Sequence, residues 1–253
     1  MTPSVITAIS SEDLDRKLLA AAKGDREALV SIGITYFEHR KMPTDMLAAK
    51  ELLRKAANEG DAEAQCSLGN LYFFGIVVNR DEDEAVKWFR KAAEQGHADA
   101  QHRLGGAYRS IAGFGVAPND AEAVKWFRKA CVQGHAQAQY DLARQLLHGQ
   151  GVEKDAAEAV RLWLQLAEKG HAAAQSMVGR CYASGDGVAK NPAEAKRWLE
   201  KAAEQEYPNA KEMLANVVAG RQPMGGRGCM VSLALVLSAI GVGWLAYRLL
   251  ARA

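Results

Sequence analysis

The chain has 253 residues, 49% hydrophobic and 25% charged, with only 6 prolines and a formal net charge of +2. Few breakers and recurrent alanine pairs favour a folded, mostly helical chain of one or two domains over a disordered one. Beyond Gly220 stand four arginines and no acid, leaving 28 basic against 30 acidic side chains in residues 1–220, a net of −2; so neutral a body argues against a nucleic-acid binder.

In chain order, residues 1–24 are expected to hold a lone capping helix, Ser11 to Lys23. Met1 to Ser10 lacks the basic and long apolar regions of a secretory signal, so the folded part is expected in the cytosol. Residues 25–219 are organised by repetition. The ending Lys91-Ala92-Ala93-Glu94-Gln95-Gly96 returns near Gly134, Gly170 and Glu206 and, more weakly, at Gly60, in steps of 36, 38, 36 and 36 residues. That period is too long for a coiled coil and suits two-helix units. The units are 25–60, degenerate with Gly33 and Tyr36 in phase, then 61–96, 97–134, 135–170 and 171–206, and a half unit at 207–219.

In each unit the first helix, A, follows the terminal glycine. Ala64, Leu68 and Tyr72 recur as Ala100, Leu104 and Tyr108, an i, i+4, i+8 apolar stripe. A glycine beside it (Gly69, Gly105, Gly179; Ala143 in the third copy) suggests helices crossing too closely for a side chain. The second helix, B, opens on Asp81…Glu84, Asn119…Glu122, Asp155…Glu158 and Asn191…Glu194, the spacing of a capping box. Its stripe is Ala85, Trp88, Ala92 and equivalents, with Leu162 and Trp163 departing in the third copy. The tryptophans Trp88, Trp126, Trp163 and Trp198 are expected in the core, and the Lys/Arg/Glu alternation around them on a solvated face. Glycines between the helices serve as stops, and two extra residues, Ile111 and Ala112, should make the second loop protrude.

Residues 220–228 read as a glycine-rich linker, and 229–250 as a transmembrane helix. Cys229 to Tyr247 carries no charge and would be about 28 Å long, near a bilayer's hydrocarbon thickness. Trp244, Tyr247 and Arg248 would mark its far end. The expected localisation is a single-pass membrane protein anchored at its C-terminus.

Chemistry is sparse. Cys66, Cys131, Cys181 and Cys229 form no CxxC and suit a reducing compartment. His97, His135 and His171 open successive A helices; neighbouring helices pack roughly 8–10 Å apart, too far for successive histidines to share a metal, so a capping role is expected. No H-E-x-x-H, P-loop or G-x-S-x-G occurs. Neither catalytic residues, cofactor, metal nor small-molecule substrate is expected.

The joint pattern A-Q-x-x-L-G-x-x-Y, a Gly-x-Gly-Val-type loop, then D/N-x-x-E-A-x-x-W-x-x-K-A-A-x-x-G resembles the Sel-one-like repeat family, relatives of tetratricopeptide repeats. The resemblance implies an all-α superhelical solenoid of two-helix repeats that binds partners on its concave side. Some members carry signal peptides and a cysteine pair in each repeat; this sequence has no such cysteine pairs, and no signal peptide is expected. By that analogy the groove would be lined by Phe37, Phe73, Phe74, His102, Arg109, Tyr140, Arg144, His148 and Arg180. Aromatic anchors among arginines are hot-spot residue types and suggest a protein segment of acidic character. The function so read is a membrane-tethered adaptor, in a bacterial setting. An immunity or inhibitor protein that neutralises a toxin by binding it is the alternative.

Overall fold

The computed structural model describes residues 44–75, 78–110 and 114–220. Ten helices follow one another there: α1 Thr44–Asn58, α2 Ala62–Phe74, α3 Glu82–Glu94, α4 Ala98–Arg109, α5 Asp120–Val132, α6 Ala136–His148, α7 Ala156–Glu168, α8 Ala172–Ser184, α9 Pro192–Glu204 and α10 Ala210–Val218. Each packs mainly on the helices before and after it, as in a solenoid. Helices α2, α4, α6, α8 and α10 are A helices; α3, α5, α7 and α9 are B helices.

The crossing of A on B explains the repeated glycine. A Cβ on Gly69 would lie 2.7 Å from the Phe89 ring and 3.2 Å from the Ala85 carbonyl, with the same distances from Gly105 to Phe127 and Ala123. At Gly179 the neighbours are Leu199 at 2.7 Å and the Ala195 carbonyl at 3.2 Å. A mid-helix glycine costs about 1 kcal/mol, whereas burying a phenylalanine or leucine contributes about 1.5–3 kcal/mol. The exchange favours glycine. The four repeat tryptophans are buried, Trp163 completely. Lys91, Lys129 and Lys201 are not simply solvated: their ammonium groups lie 4.1, 3.9 and 4.6 Å from the ring centres of Trp88, Trp126 and Trp198, close enough for cation–π attraction.

Helix B starts as expected by half. Asp81, Asn119, Asp155 and Asn191 each accept the backbone N–H three residues on. The reciprocal half of the box is replaced. The cap residues' own N–H groups donate to carbonyls of the preceding A helix (Asp81 to Tyr72 at 3.0 Å, Asn119 to Tyr108 at 2.7 Å). The freed glutamates pair one turn on, Glu84 with Lys87 and Glu158 with Arg161. The last A helix begins at Ala210, later than expected. Pro208 supplies no N–H, and Asn209 sits at φ 63° without a side-chain cap.

The expected membrane localisation is corrected. Among the described residues no helix is long and apolar enough to cross a membrane. The longest, α1, has 15 residues, about 22 Å at 1.5 Å per residue, against a hydrocarbon core of roughly 30 Å. The segment expected to span, residues 229–250, lies outside the described residues, as do the linker, the capping helix, Gly33, Tyr36, Phe37, and the insertion at Ile111 and Ala112.

Candidate partner-binding site

The histidine ladder is a set of helix caps. Nδ1 of His97, His135 and His171 accepts the N–H of Ala100, Ala138 and Ala174 at 3.3, 3.0 and 3.2 Å. With Nδ1 accepting, the proton sits on Nε2, which in His97 donates to Glu63 at 2.9 Å and in His135 to Asp99 at 2.7 Å. Each cap thereby ties its helix to the previous A helix. The His135 hydrogen bond holds the Asp99 carboxyl below its ordinary range. His171 instead stacks on Tyr140, with ring centres 5.7 Å apart.

A second ladder, of glutamines, joins three helices at a time. Gln101 donates to the Ala93 carbonyl at 3.1 Å and accepts from Gln133 at 2.8 Å. Gln65 does the same with Ala57 and Gln95, and Gln175 with Ala167 and Gln205. In the third copy Lys169 holds the usual glutamine position. Gln165, one turn earlier, substitutes with the direction reversed: its side-chain oxygen accepts from Gln139 at 2.8 Å, and Gln139 also donates to the Leu162 carbonyl at 2.9 Å. The recurrence of Gln65, Gln101, Gln139 and Gln175 was the available sequence signal.

The charged centre of the A-helix face is Asp141, which sequence reasoning missed. The residue is 6% exposed, and its carboxylate accepts from three side chains and forms an ion pair with a fourth. Oδ1 takes Arg109 at 3.2 Å and pairs with Arg144 at 3.3 Å. Oδ2 takes His102 Nε2 at 3.0 Å and Gln137 at 3.5 Å. Three residues expected in the groove, His102, Arg109 and Arg144, thus converge across α4 and α6 on one acid. Two guanidinium groups against one carboxylate leave a positive excess.

The other expected residues fall differently. Phe74 is 42% exposed, with the Arg103 guanidinium 5.5 Å from its ring centre. Phe73 spends its ring on packing, 5.0 Å from Phe74 and 5.7 Å from Phe114. Tyr140 packs on Trp163 at 6.0 Å and on His171. His148, at the end of α6, is held below its ordinary pKa by burial first, then by the positive charges of Arg180 and Lys154. Arg180, on α8, is thus within electrostatic reach of the end of α6, with Asp186 opposing it.

Nothing among the described residues gathers three His, Cys, Asp or Glu side chains as a metal site would. Burial pushes the thiols of Cys66 and Cys131 up to about 12 and that of Cys181 to about 11. Thiols so held are poor nucleophiles.

The Sel1 repeat matches the chain at residues 27–61, 62–97, 98–135, 136–171 and 172–207. Among solved structures, a protective antigen with an SLR fold from uropathogenic Escherichia coli is 31% identical, with a TM-score of 0.65 over 83% of this chain and 44% of that one. This chain therefore spans less than half of that protein's length. A Sel1 repeat protein from Oxalobacter formigenes is also 31% identical, with a TM-score of 0.62 over 83% of this chain and 79% of that one. No curated protein matches. With five matches covering well over half of its length, the chain belongs to the Sel1 repeat family.

Proposed function

We propose that this protein is a scaffold that binds another protein through the face formed by its A helices, and that the bound segment is acidic. The observation that carries this reading is the cluster at Asp141. One buried carboxylate holds Arg109 and Arg144 in place and neutralises only one of them. Their side chains remain 30% and 35% exposed, so the arginines are both oriented and reachable. An arginine fixed beforehand loses less side-chain freedom when a ligand carboxylate arrives. Arg180 on α8 adds to the same field. The glutamine and histidine ladders make the face a stiff surface rather than a string of loose hairpins.

The test reverses the charge of Arg144 and Arg180 together, to Glu. Proteins captured by the full chain and by the double variant would be compared by mass spectrometry, with circular dichroism as the control for folding. Loss of specific partners at unchanged helical content is expected. Identical capture by both forms would sink the reading.

A further inference from the structure

Gly106 stands apart from the other helical glycines. A Cβ on Gly69, Gly105 or Gly179 would strike a neighbouring side chain, whereas one on Gly106 would meet nothing within 4 Å. Packing therefore gives no reason for a residue that weakens helix α4 relative to alanine. Position explains it better. Counted from the helix caps His97, His135 and His171, Gly106, Arg144 and Arg180 hold the same place on α4, α6 and α8. Phe74 lies one helix further back, its ring beside Arg103 of α4. At the place of Gly106, α2 carries the buried Asn70 and Phe74 stands one turn further along, so the row runs from a bare stretch of helix to two arginines, with an exposed aromatic ring one turn off its start.

We propose that the partner segment, on the reading given above, crosses this row in extended form, with an apolar residue on Phe74, its backbone close over Gly106, and acidic residues at Arg144 and Arg180. The charges favour this direction. Asp141, the acid beside the row's centre, is already committed to His102, Arg109, Arg144 and Gln137, and Asp186, near its Arg180 end, accepts from Ser184. With successive A helices spaced by about one helix diameter, ~10 Å, Phe74 would be about 20 Å from Arg144 and 30 Å from Arg180. An extended chain rises ~3.3 Å per residue, which places the acids about six and nine residues from the apolar anchor. A helical ligand, at ~1.5 Å per residue, would need about twice that separation. Close passage over Gly106 requires the missing side chain, because a methyl there would stand between the ligand backbone and the helix.

The experiment selects a displayed library of random twelve-residue peptides on the full chain. The expected winners carry Asp or Glu about six and nine residues from a large apolar residue. Their affinities would then be measured by fluorescence polarisation on variants. Phe74→Ala and Arg180→Glu should each weaken binding about tenfold, as hot-spot truncations do. Lysine in place of the peptide's acidic residue should restore affinity for Arg180→Glu. Gly106→Ala should raise the melting temperature and yet weaken binding, two effects of opposite sign that a merely structural glycine would not produce. Winners without that spacing, an empty selection, or Gly106→Ala with unchanged affinity would each overturn the extended crossing. The broader groove reading is judged separately, by the double reversal of Arg144 and Arg180 on natural partners.

Discussion

Gln145 is completely buried, and neither its oxygen nor its nitrogen has a hydrogen-bond partner. At the same place on the other A helices stand Leu71, Ala107 and Cys181, all buried and all needing no partner. An unsatisfied buried amide costs about 1–3 kcal/mol, while leucine is of similar size and was accepted at position 71. Gln145→Leu is therefore expected to stabilise the protein by about 1–2 kcal/mol, read as a raised urea midpoint at unchanged slope. A lowered midpoint would mean that the amide is engaged after all. Asp141 shows the opposite case one turn earlier, a buried polar group with every neighbour turned towards it. Neither residue stands out in the sequence, since an isolated Asp or Gln on an A helix reads as surface.

At the scale of the helix and its loop, the glycines divide into two kinds. Gly134 lies at φ 79° with open space around it, so alanine there meets only the left-handed backbone strain. Gly187 lies at φ 73°, and a Cβ on it would fall 2.1 Å from the Ala156 carbonyl at the start of α7. Gly151 meets the start of α5 in the same way, 2.2 Å from Asp120. These loop glycines are more than helix stops: they seat each loop against the B helix of the repeat before. Gly134→Ala should cost about 1–2 kcal/mol. Gly187→Ala should cost clearly more, about 3 kcal/mol or above, since the loop must move off α7. Thermal unfolding of the two variants side by side checks the order, and equal losses would refute the seating role.

Over the whole molecule, stability should vary along the solenoid because each unit leans only on its neighbours. Helices α5 to α8 lie within one continuous core that includes Phe127, Leu142, Trp163 and Val178. Helix α10 packs on α9, with slight contact to α8, and its Val218 is 65% exposed. Amide hydrogen exchange followed by mass spectrometry should therefore be slowest in α7 and α8 and fastest, among these helices, in α10. Equal protection along the chain would instead indicate a single all-or-none unit.

The sequence alone determined what short windows encode. The period, the division of each unit into two helices, the side-chain caps, the buried tryptophans and the crossing glycines all follow from residues within a few turns of one another. Helical periodicity and capping are local rules, and repetition makes them conspicuous. Only the tertiary structure decided which residues meet across about one repeat. His102 and Arg109 reach Asp141 from 39 and 32 residues away, Gln133 reaches Gln101 over 32, and Gly187 touches α7 rather than its own repeat. Those meetings depend on how far each hairpin turns and rises on the last. That geometry is the summed result of many side-chain contacts, and no local stretch of the chain carries it.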